Sequence, residues 1–387
     1  MAAAAREAEP SGRLSGRALN RALLARQGLL ERFDAPVAEV VEAIGAMQGQ
    51  AWSALPVGLW SRISSFVPGD LYAALSSGEL VWGIGLRGTL HLVSAREHPS
   101  YAVVAAGVSA SWHRALAETT AGMDELRAAV LSFAAESRTN EEIRSFAEAW
   151  VAEHPEAIDP EEVQAQRSVG WRPIYRWSAL TRVPNGGVWG TKAPPDHLAV
   201  AIAPTSELAP GADQAIEDVA RRHLRAFGPA AVEDIACWIA KPTPAVRAAV
   251  DRCGDELVSF EDEFGRRLYD LPGGARPDPQ TPAPARLLGA FDSTLLAYAS
   301  KRRERIMPEG MRDVVYQKGN LQIRPSFLVD GLVAGTWSSE LRRRQATLTL
   351  RPVARLPKAA AAELTAEGEG LMGALHPDAK AHNIVID

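Results

Sequence analysis

Two glutamines separated by one glycine, Gln48-Gly49-Gln50, interrupt an apolar helical stripe with no acid, thiol or clear metal ligand beside them. In an extended segment both amides point the same way, because side chains alternate with a period of two. In a helix they diverge. Met47 ends the stripe and Gly49 permits an unusual backbone, so an extended or turned conformation is expected. Two convergent amides offer donors and acceptors together, enough to hold one water molecule but not to deprotonate it. Such a site suits only a reaction whose substrate arrives already activated. The alternative is that Gln48 and Gln50 form a helix cap or bind neighbouring backbone. A second Gln-x-Gln, Gln164-Ala165-Gln166, falls in an expected helix after Asp159-Pro160 and carries no function.

Other hydrolytic machinery has no counterpart in the sequence. There is no G-x-S-x-G, H-E-x-x-H or Walker A, and no dinucleotide fingerprint set between a strand and a helix. The two cysteines, Cys237 and Cys253, form no C-x-x-C pair and read as structural thiols, so no metal or other cofactor is expected. An N7- or N3-alkylated purine fits the amide pair. Its base already carries positive charge and leaves readily, so the protein need only place water near C1′ and tolerate an oxocarbenium-like sugar. His91, in Arg87-Gly88-Thr89-Leu90-His91-Leu92-Val93, is the one histidine set in a tight apolar strand. It could be catalytic, brace a loop, or be a satisfied buried histidine.

The elements that must position these residues are mostly helices. Leu19, Leu23, Leu24 and Leu30 give one apolar side to a helix expected from about Ser15 to Phe33, with Arg17, Arg21, Arg26 and Arg32 on its other surfaces. Asp34 and Pro36 suit the start of the next helix, whose core stripe is Val37, Val40, Val41, Ile44 and Met47. An amphipathic stretch Leu59–Phe66 and a short helix Pro68–Leu75 follow. Val81–Leu86 and Thr89–Val93 then read as a hairpin, and Ser94 with Glu97 as a capping box. The pattern recurs twice. Helices over Met123–Leu131, Glu141–Val151 and Ser168–Leu180 lead to a turn at Val183–Trp189. Helices from Ala215, Val232 and Ala245 lead to a hairpin at Glu256–Leu271. Pro272–Pro284 reads as a linker or an extended crossing segment. Asp330-Gly331 joins two further strands, Ala346–Leu350 adds a third, and Ala359–Leu375 closes the chain as a helix.

With 387 residues the chain can hold two or three modest domains. It has no apolar run of membrane-spanning length. The Ala-rich start lacks a signal-peptide core, so a cytoplasmic protein with a disordered tail is expected. The net charge of -5 is unevenly distributed. Residues 301–351 hold eleven basic and five acidic residues, a local +6 that leaves -11 elsewhere. A basic face on an acidic body can bind a polyanion, because the local field decides contact. It can equally be a solvated surface.

Several fragments resemble one family in their order and spacing: Leu19–Gln27, Ala46-Met47-Gln48-Gly49-Gln50, Leu59-Trp60-Ser61-Arg62, Leu86–Val93, Phe227-Gly228-Pro229-Ala230 with Trp238, Ala290-Phe291-Asp292, Leu295–Tyr298 and Phe327–Trp337. Together they span about Leu14 to Leu375 and are similar to the bacterial AlkZ/YcaQ-like winged-helix DNA glycosylases, in the Gln-x-Gln branch. The resemblance implies a mainly α fold with small β-hairpins, in which three tandem winged-helix domains form a C-shaped DNA-binding concavity with a C-terminal small sheet and helix. The corresponding boundaries are a tail at 1–13, modules at 14–118, 119–210 and 211–282, and a β-rich basic segment at 283–387. It also implies base excision repair of alkylated purines, bulky or crosslinked ones in some members, serving self-resistance to a DNA-alkylating natural product. Gln48 and Gln50 would be catalytic, with His91 and Arg87 supporting. Lys301, Arg302, Arg303, Arg305, Arg342 and Arg343 would contact DNA phosphates. The partner would be double-stranded DNA, met by a monomer with no membrane attachment. Gly49 departs from the family pattern, which usually has an apolar side chain there, and gives up packing that would fix the two amides; either the local pocket restores order, or the site has adapted to a bulky lesion, or activity is low. The competing readings are a non-catalytic winged-helix DNA-binding protein and a protein that binds the free genotoxin.

Overall fold

The stripe Val37, Val40, Val41 and Ile44 forms one face of the helix Val37–Ile44, buried against Leu55, Leu59, Leu71 and Leu75. Its i, i+3, i+4, i+7 spacing puts all four side chains on that face. The chain then extends as the strand Met47–Gln48 on one edge of a three-stranded antiparallel sheet, beside Leu90–Ser94 and then Leu80–Ile84. The sheet is buried on both faces. Met47, Leu80, Trp82 and Leu92 join the core of this helical group, while Val81 and Val93 join the main core with Tyr101, Val104, Val219 and Trp238. The computed structural model describes residues 10–106, 121–171, 174, 179–185, 194–203, 206–317, 319 and 322–387.

The fold is mixed α/β, with short helices packed on small sheets in winged-helix-like groups. A second group has helices Ala121–Phe133, Asn140–Glu153 and Pro160–Ser168 with the strand pair Leu180–Val183 and Asp196–Ala199. Thr139 and Glu142 form a reciprocal capping box at the start of Asn140–Glu153. The turn expected at Val183–Trp189 and the helix expected at Ser168–Leu180 run partly outside the described residues, and Lys318 and residues 1–9 lie outside them. In a third group, helices Ala212–Phe227, Val232–Ile239 and Thr243–Cys253 pack with a sheet of Arg13–Leu14, Val258–Asp262 and Arg267–Asp270. Arg13 and Leu14 pair in parallel with Glu261 and Asp262. A five-stranded sheet, ordered Ala381–Ile386, Gln345–Pro352, Leu332–Arg342, Ser326–Val329, Arg286–Leu288, carries the helix Lys358–Leu375.

Several local expectations need correction. The first helix is Gly16–Arg26 and stops well short of Phe33. Its arginines are committed to the fold. Arg17, Arg21 and Arg26 donate to the carbonyls of Pro279, Thr281 and Ala275, which ties down the proline-rich crossing segment. Arg17 and Arg21 also pair with Asp330. Asp330 and Gly331 take φ of 45° and 80°, as a tight two-residue hairpin turn requires. Asp34 does not cap Val37–Ile44, which begins after Pro36 without a side-chain cap. Ser94 accepts the Glu97 amide, but the Glu97 carboxylate turns to Arg222 and Arg225 in place of closing a capping box. The strand Ala381–Ile386, parallel to Gln345–Leu350, had no signal in the sequence reading.

The N-terminal group and the C-terminal sheet are joined by a buried ion pair. Arg62 donates to both Asp292 oxygens, at 3.0 and 2.9 Å. Both side chains are almost completely buried. Arg62 also donates to Gly58 O and Gln27, and Asp292 accepts the Thr294 amide and hydroxyl. Removing one partner of such a pair leaves an uncompensated buried charge. Arg62→Ala is therefore expected to cost about 3–5 kcal/mol in chemical denaturation, and an apolar Arg62→Met/Asp292→Leu replacement to recover most of it.

Candidate active site

Gln48 and Gln50 sit where the strand Met47–Gln48 runs off the sheet edge. Gln48 pairs with His91, and the Gly49 amide donates to Leu90 O at 2.8 Å. Alternation then puts Gln48 and Gln50 on one side and the Gly49 α-carbon on the other. Gln48 is half-buried, Gly49 buried and Gln50 exposed. Gly49 does not take positive φ; of the two conformations expected the chain takes the extended one into Gln48, and the Gly49 amide continues the ladder.

Each amide is oriented by a donor. Arg87 donates to Gln48 Oε1 at 2.7 Å, and the Leu90 amide donates to Gln50 Oε1 at 3.2 Å. An arginine can only donate, so the Gln48 oxygen must face it and the NH₂ must face away. Each carbonyl oxygen keeps a second lone pair for a water hydrogen. Arg87 lies in the turn Leu86–Gly88 with φ of 57°, a strained value for a residue with a side chain. Two contacts hold it there: Gln48, and the carbonyl of Trp238 near the end of Val232–Ile239, at 2.6 Å. Burial lowers the Arg87 pKa to about 10, so it remains a cation at neutral pH.

Ser293 braces the strand from below. Its hydroxyl donates to Ala46 O at 3.0 Å and accepts from the Gln48 amide at 3.2 Å. It follows Asp292 directly, so one residue of the chain separates the buried ion pair from the contact to the Gln48 strand. Sequence reasoning missed Ser293, which lies 245 positions from Gln48. No periodicity links such distant residues; the only pointer was the quoted Ala290-Phe291-Asp292 fragment.

His91 is buried, and its Nδ1 lies 3.1 Å from Thr89 O. That carbonyl can only accept, so the proton sits on Nδ1. Nε2 has no partner among the described residues. Burial first and the Arg87 cation second lower the His91 pKa to about 3, against an opposing pull from Thr89 O. His91 is thus neutral at physiological pH and stands opposite Gln48 on the neighbouring strand.

The basic residues divide into two kinds. Arg305 is buried over the Tyr298 ring and donates to Pro229 O; Arg303 donates to Tyr298 O and to the Tyr316 hydroxyl. Arg302 pairs with Glu233 and is half-buried. Lys301, Arg342 and Arg343 are exposed. Arg343 and Arg344 form the tip between strands Leu332–Arg342 and Gln345–Pro352, both with positive φ. Arg344 donates to Asp378 O, Arg342 pairs with Glu340, and Arg343 has no partner among the described residues. Among those residues no group of three or more His, Cys, Asp or Glu could hold a metal ion, and no helix is long and apolar enough to cross a membrane.

The chain thus combines winged-helix-like groups with a braced pair of neutral amides at a sheet edge, and comparison with known proteins shows its family. The profile of the family described as DNA glycosylase AlkZ-like matches residues 41–374, and the chain belongs to that family. It is 27% identical over 331 residues to an interstrand DNA cross-link repair glycosylase of Streptomyces sahachiroi, covering 81% of this chain and 84% of that protein. The solved structure of the Streptomyces sahachiroi DNA glycosylase AlkZ superposes with a TM-score of 0.76 at 23% identity, over 97% of this chain and 100% of that one. Membership supports glycosylase function in DNA repair as a general class, with DNA as the partner.

A site of this composition has no group titrating near neutrality. The pH–rate profile for base release is expected to be flat from about pH 5.5 to 8.5, read on a lesion that is stable over that range. A step within that range would show that an essential group titrates there and that base release depends on proton transfer. Stability behaves differently. His91, His197 and His223 have folded pKa values lowered to about 3, 3 and 4 from 6.5, so the unfolded chain binds protons first. Their contribution is complete above about pH 6.5 and is lost as pH falls towards 4.

Proposed function

We propose that this protein is a monofunctional DNA glycosylase of the Gln-x-Gln branch. In this reading it hydrolyses the N-glycosidic bond of N7- or N3-alkylated purines, bulky and crosslinked adducts included. It acts as a monomer on double-stranded DNA in the cytoplasm and serves repair or self-resistance against a DNA-alkylating natural product. Residues 14–118, 119–210 and 211–282 act as three tandem winged-helix modules around a C-shaped concavity, completed by the segment 283–387.

The observation that carries the reading is the fixed orientation of Gln48, whose oxygen is held by Arg87 beside an exposed Gln50. The second lone pair of each amide oxygen accepts one O–H of a water molecule. The water's own lone pair is thereby turned towards C1′ as the cationic base departs. Neutral amides suit this step, because the oxocarbenium-like sugar needs dipoles with their negative ends towards it and no proton transfer is required to expel the base. The base leaves with the bonding electron pair, which neutralises its charge. Water adds to C1′ and releases a proton to solvent. Arg87 and His91 position Gln48 from behind. Lys301, Arg342 and Arg343 contact backbone phosphates, supplying affinity without sequence reading. Arg302, Arg303 and Arg305 are drawn into the packing that shapes that surface.

Purified protein is incubated with duplexes carrying 7-methylguanine or a bulky N7-alkylguanine, and free base and abasic sites are measured. Wild type is expected to release base, and Gln48→Ala/Gln50→Ala to do so at least about a hundredfold more slowly. Equal release by both would remove the amides from the mechanism. Release from no adduct by wild type would favour a protein that binds DNA without cutting the glycosidic bond.

A further inference from the structure

Between the two glutamines the chain has no side chain, and the space beside Gly49 is filled from elsewhere. A Cβ built on Gly49 would lie 2.7 Å from Trp82 Nε1, 3.0 Å from Trp82 Cδ1 and 3.2 Å from Leu55 Cδ2. Trp82 Nε1 donates to Gly49 O at 3.0 Å. Trp82 stands on Leu80–Ile84, the far strand of the sheet, opposite Leu92, which in turn faces Met47. Paired residues in an antiparallel sheet project to the same side, so the indole crosses Leu92 and ends beneath Gly49. Both polar groups of Gly49 are thus satisfied, the amide by Leu90 O and the carbonyl by the indole.

We infer that Trp82 is the positioning residue for the Gln48-Gly49-Gln50 strand: its indole takes the volume of the missing side chain and its N–H fixes the peptide plane between the two amides. The inference rests on the function proposed above and deepens it. Rotation of that plane would swing Gln50 away from Gln48, because the Gly49 carbonyl belongs to the peptide that leads into Gln50. The indole is itself held on several sides. Trp52 packs against it at 4.7 Å between ring centroids, Arg182 lies 5.8 Å above it, and the Trp82 amide donates to Thr181 of the second helical group at 2.9 Å. Gly49 and Trp82 are therefore one unit. A side chain at 49 and an indole at 82 cannot occupy the same space.

The test is a mutant cycle on single-turnover release of 7-methylguanine from duplex DNA, with duplex affinity measured separately and cooperative thermal unfolding confirming that each variant is folded. Trp82→Phe keeps an aromatic ring and removes the N–H. It is expected to lower the rate about tenfold while leaving duplex affinity within about twofold. Gly49→Ala is expected to lower the rate about tenfold beside Trp82, and by less than about twofold in a Trp82→Ala background, where the crowding atoms are gone. A wild-type rate for Trp82→Phe, or Gly49→Ala and Trp82→Ala effects that simply multiply, would overturn the inference. If wild type releases no base, the proposed reaction fails, and the positioning claim is read from hydrogen exchange instead. Faster exchange of the Gly49 and Gln50 amides in Trp82→Phe, unmatched in Trp60→Phe, supports it; unchanged exchange overturns it.

Discussion

A buried arginine–carboxylate pair, Arg62 with Asp292, is the constraint from which the candidate site follows. Both charges lie out of water, and each side chain makes further hydrogen bonds to neighbouring groups, Arg62 to Gly58 O and Asp292 from Thr294. A pair of this kind adds little net stability over an apolar replacement, but it tolerates only one geometry. That geometry sets the turn Ser293–Leu295 against the strand Met47–Gln48. Ser293 then transmits it through two hydrogen bonds, one to Ala46 O and one from the Gln48 amide. The C-terminal third of the chain thus fixes the position of a dipeptide near its start.

Around that anchor the amides are held from three further directions. Arg87 ties the Gln48 side chain to the end of Val232–Ile239, the Leu90 amide orients Gln50, and Trp82 meets the Gly49 carbonyl. No group here supplies strong acid–base power: Gln48 and Gln50 do not titrate, His91 is neutral to about pH 3, and Arg87 is charged to about pH 10. What such a site offers is position. Dipoles fixed before the substrate arrives cost no reorganisation as charge develops, which is the condition under which weak groups stabilise a transition state. A substrate that carries its own positive charge on the leaving base matches that offer.

Much of the architecture was legible in the sequence because it is locally encoded. The Val37–Ile44 stripe, the hairpin of Leu80–Ile84 with Leu90–Ser94, the Asp330-Gly331 turn and the closing helix each follow from periodicity or turn chemistry within one element. Failures came where partners are distant. The arginines of Gly16–Arg26 read as a surface set, yet three of them pin a segment more than 240 positions away. Arg303 and Arg305 read as a basic face, yet their guanidinium groups lie on Tyr316 and Tyr298. Charge counts along a chain cannot tell a solvated arginine from one that caps carbonyls inside the fold. What fills the space beside Gly49 is distant in the same way. Its neighbour in space is Trp82, and nothing within the motif announces an indole.

In the proposed reaction Gln48 and Gln50 face the reacting sugar in the orientation already present in the free protein. The most direct measurement is a crystal structure of the complex with duplex DNA carrying a cationic azasugar in place of the lesion nucleotide. Both amides are expected within hydrogen-bonding reach of a water at the sugar, with Arg87 still on Gln48 and Trp82 still on Gly49 O. An azasugar bound elsewhere on the protein, or a Gln48 released from Arg87 and turned away from the sugar, would contradict it.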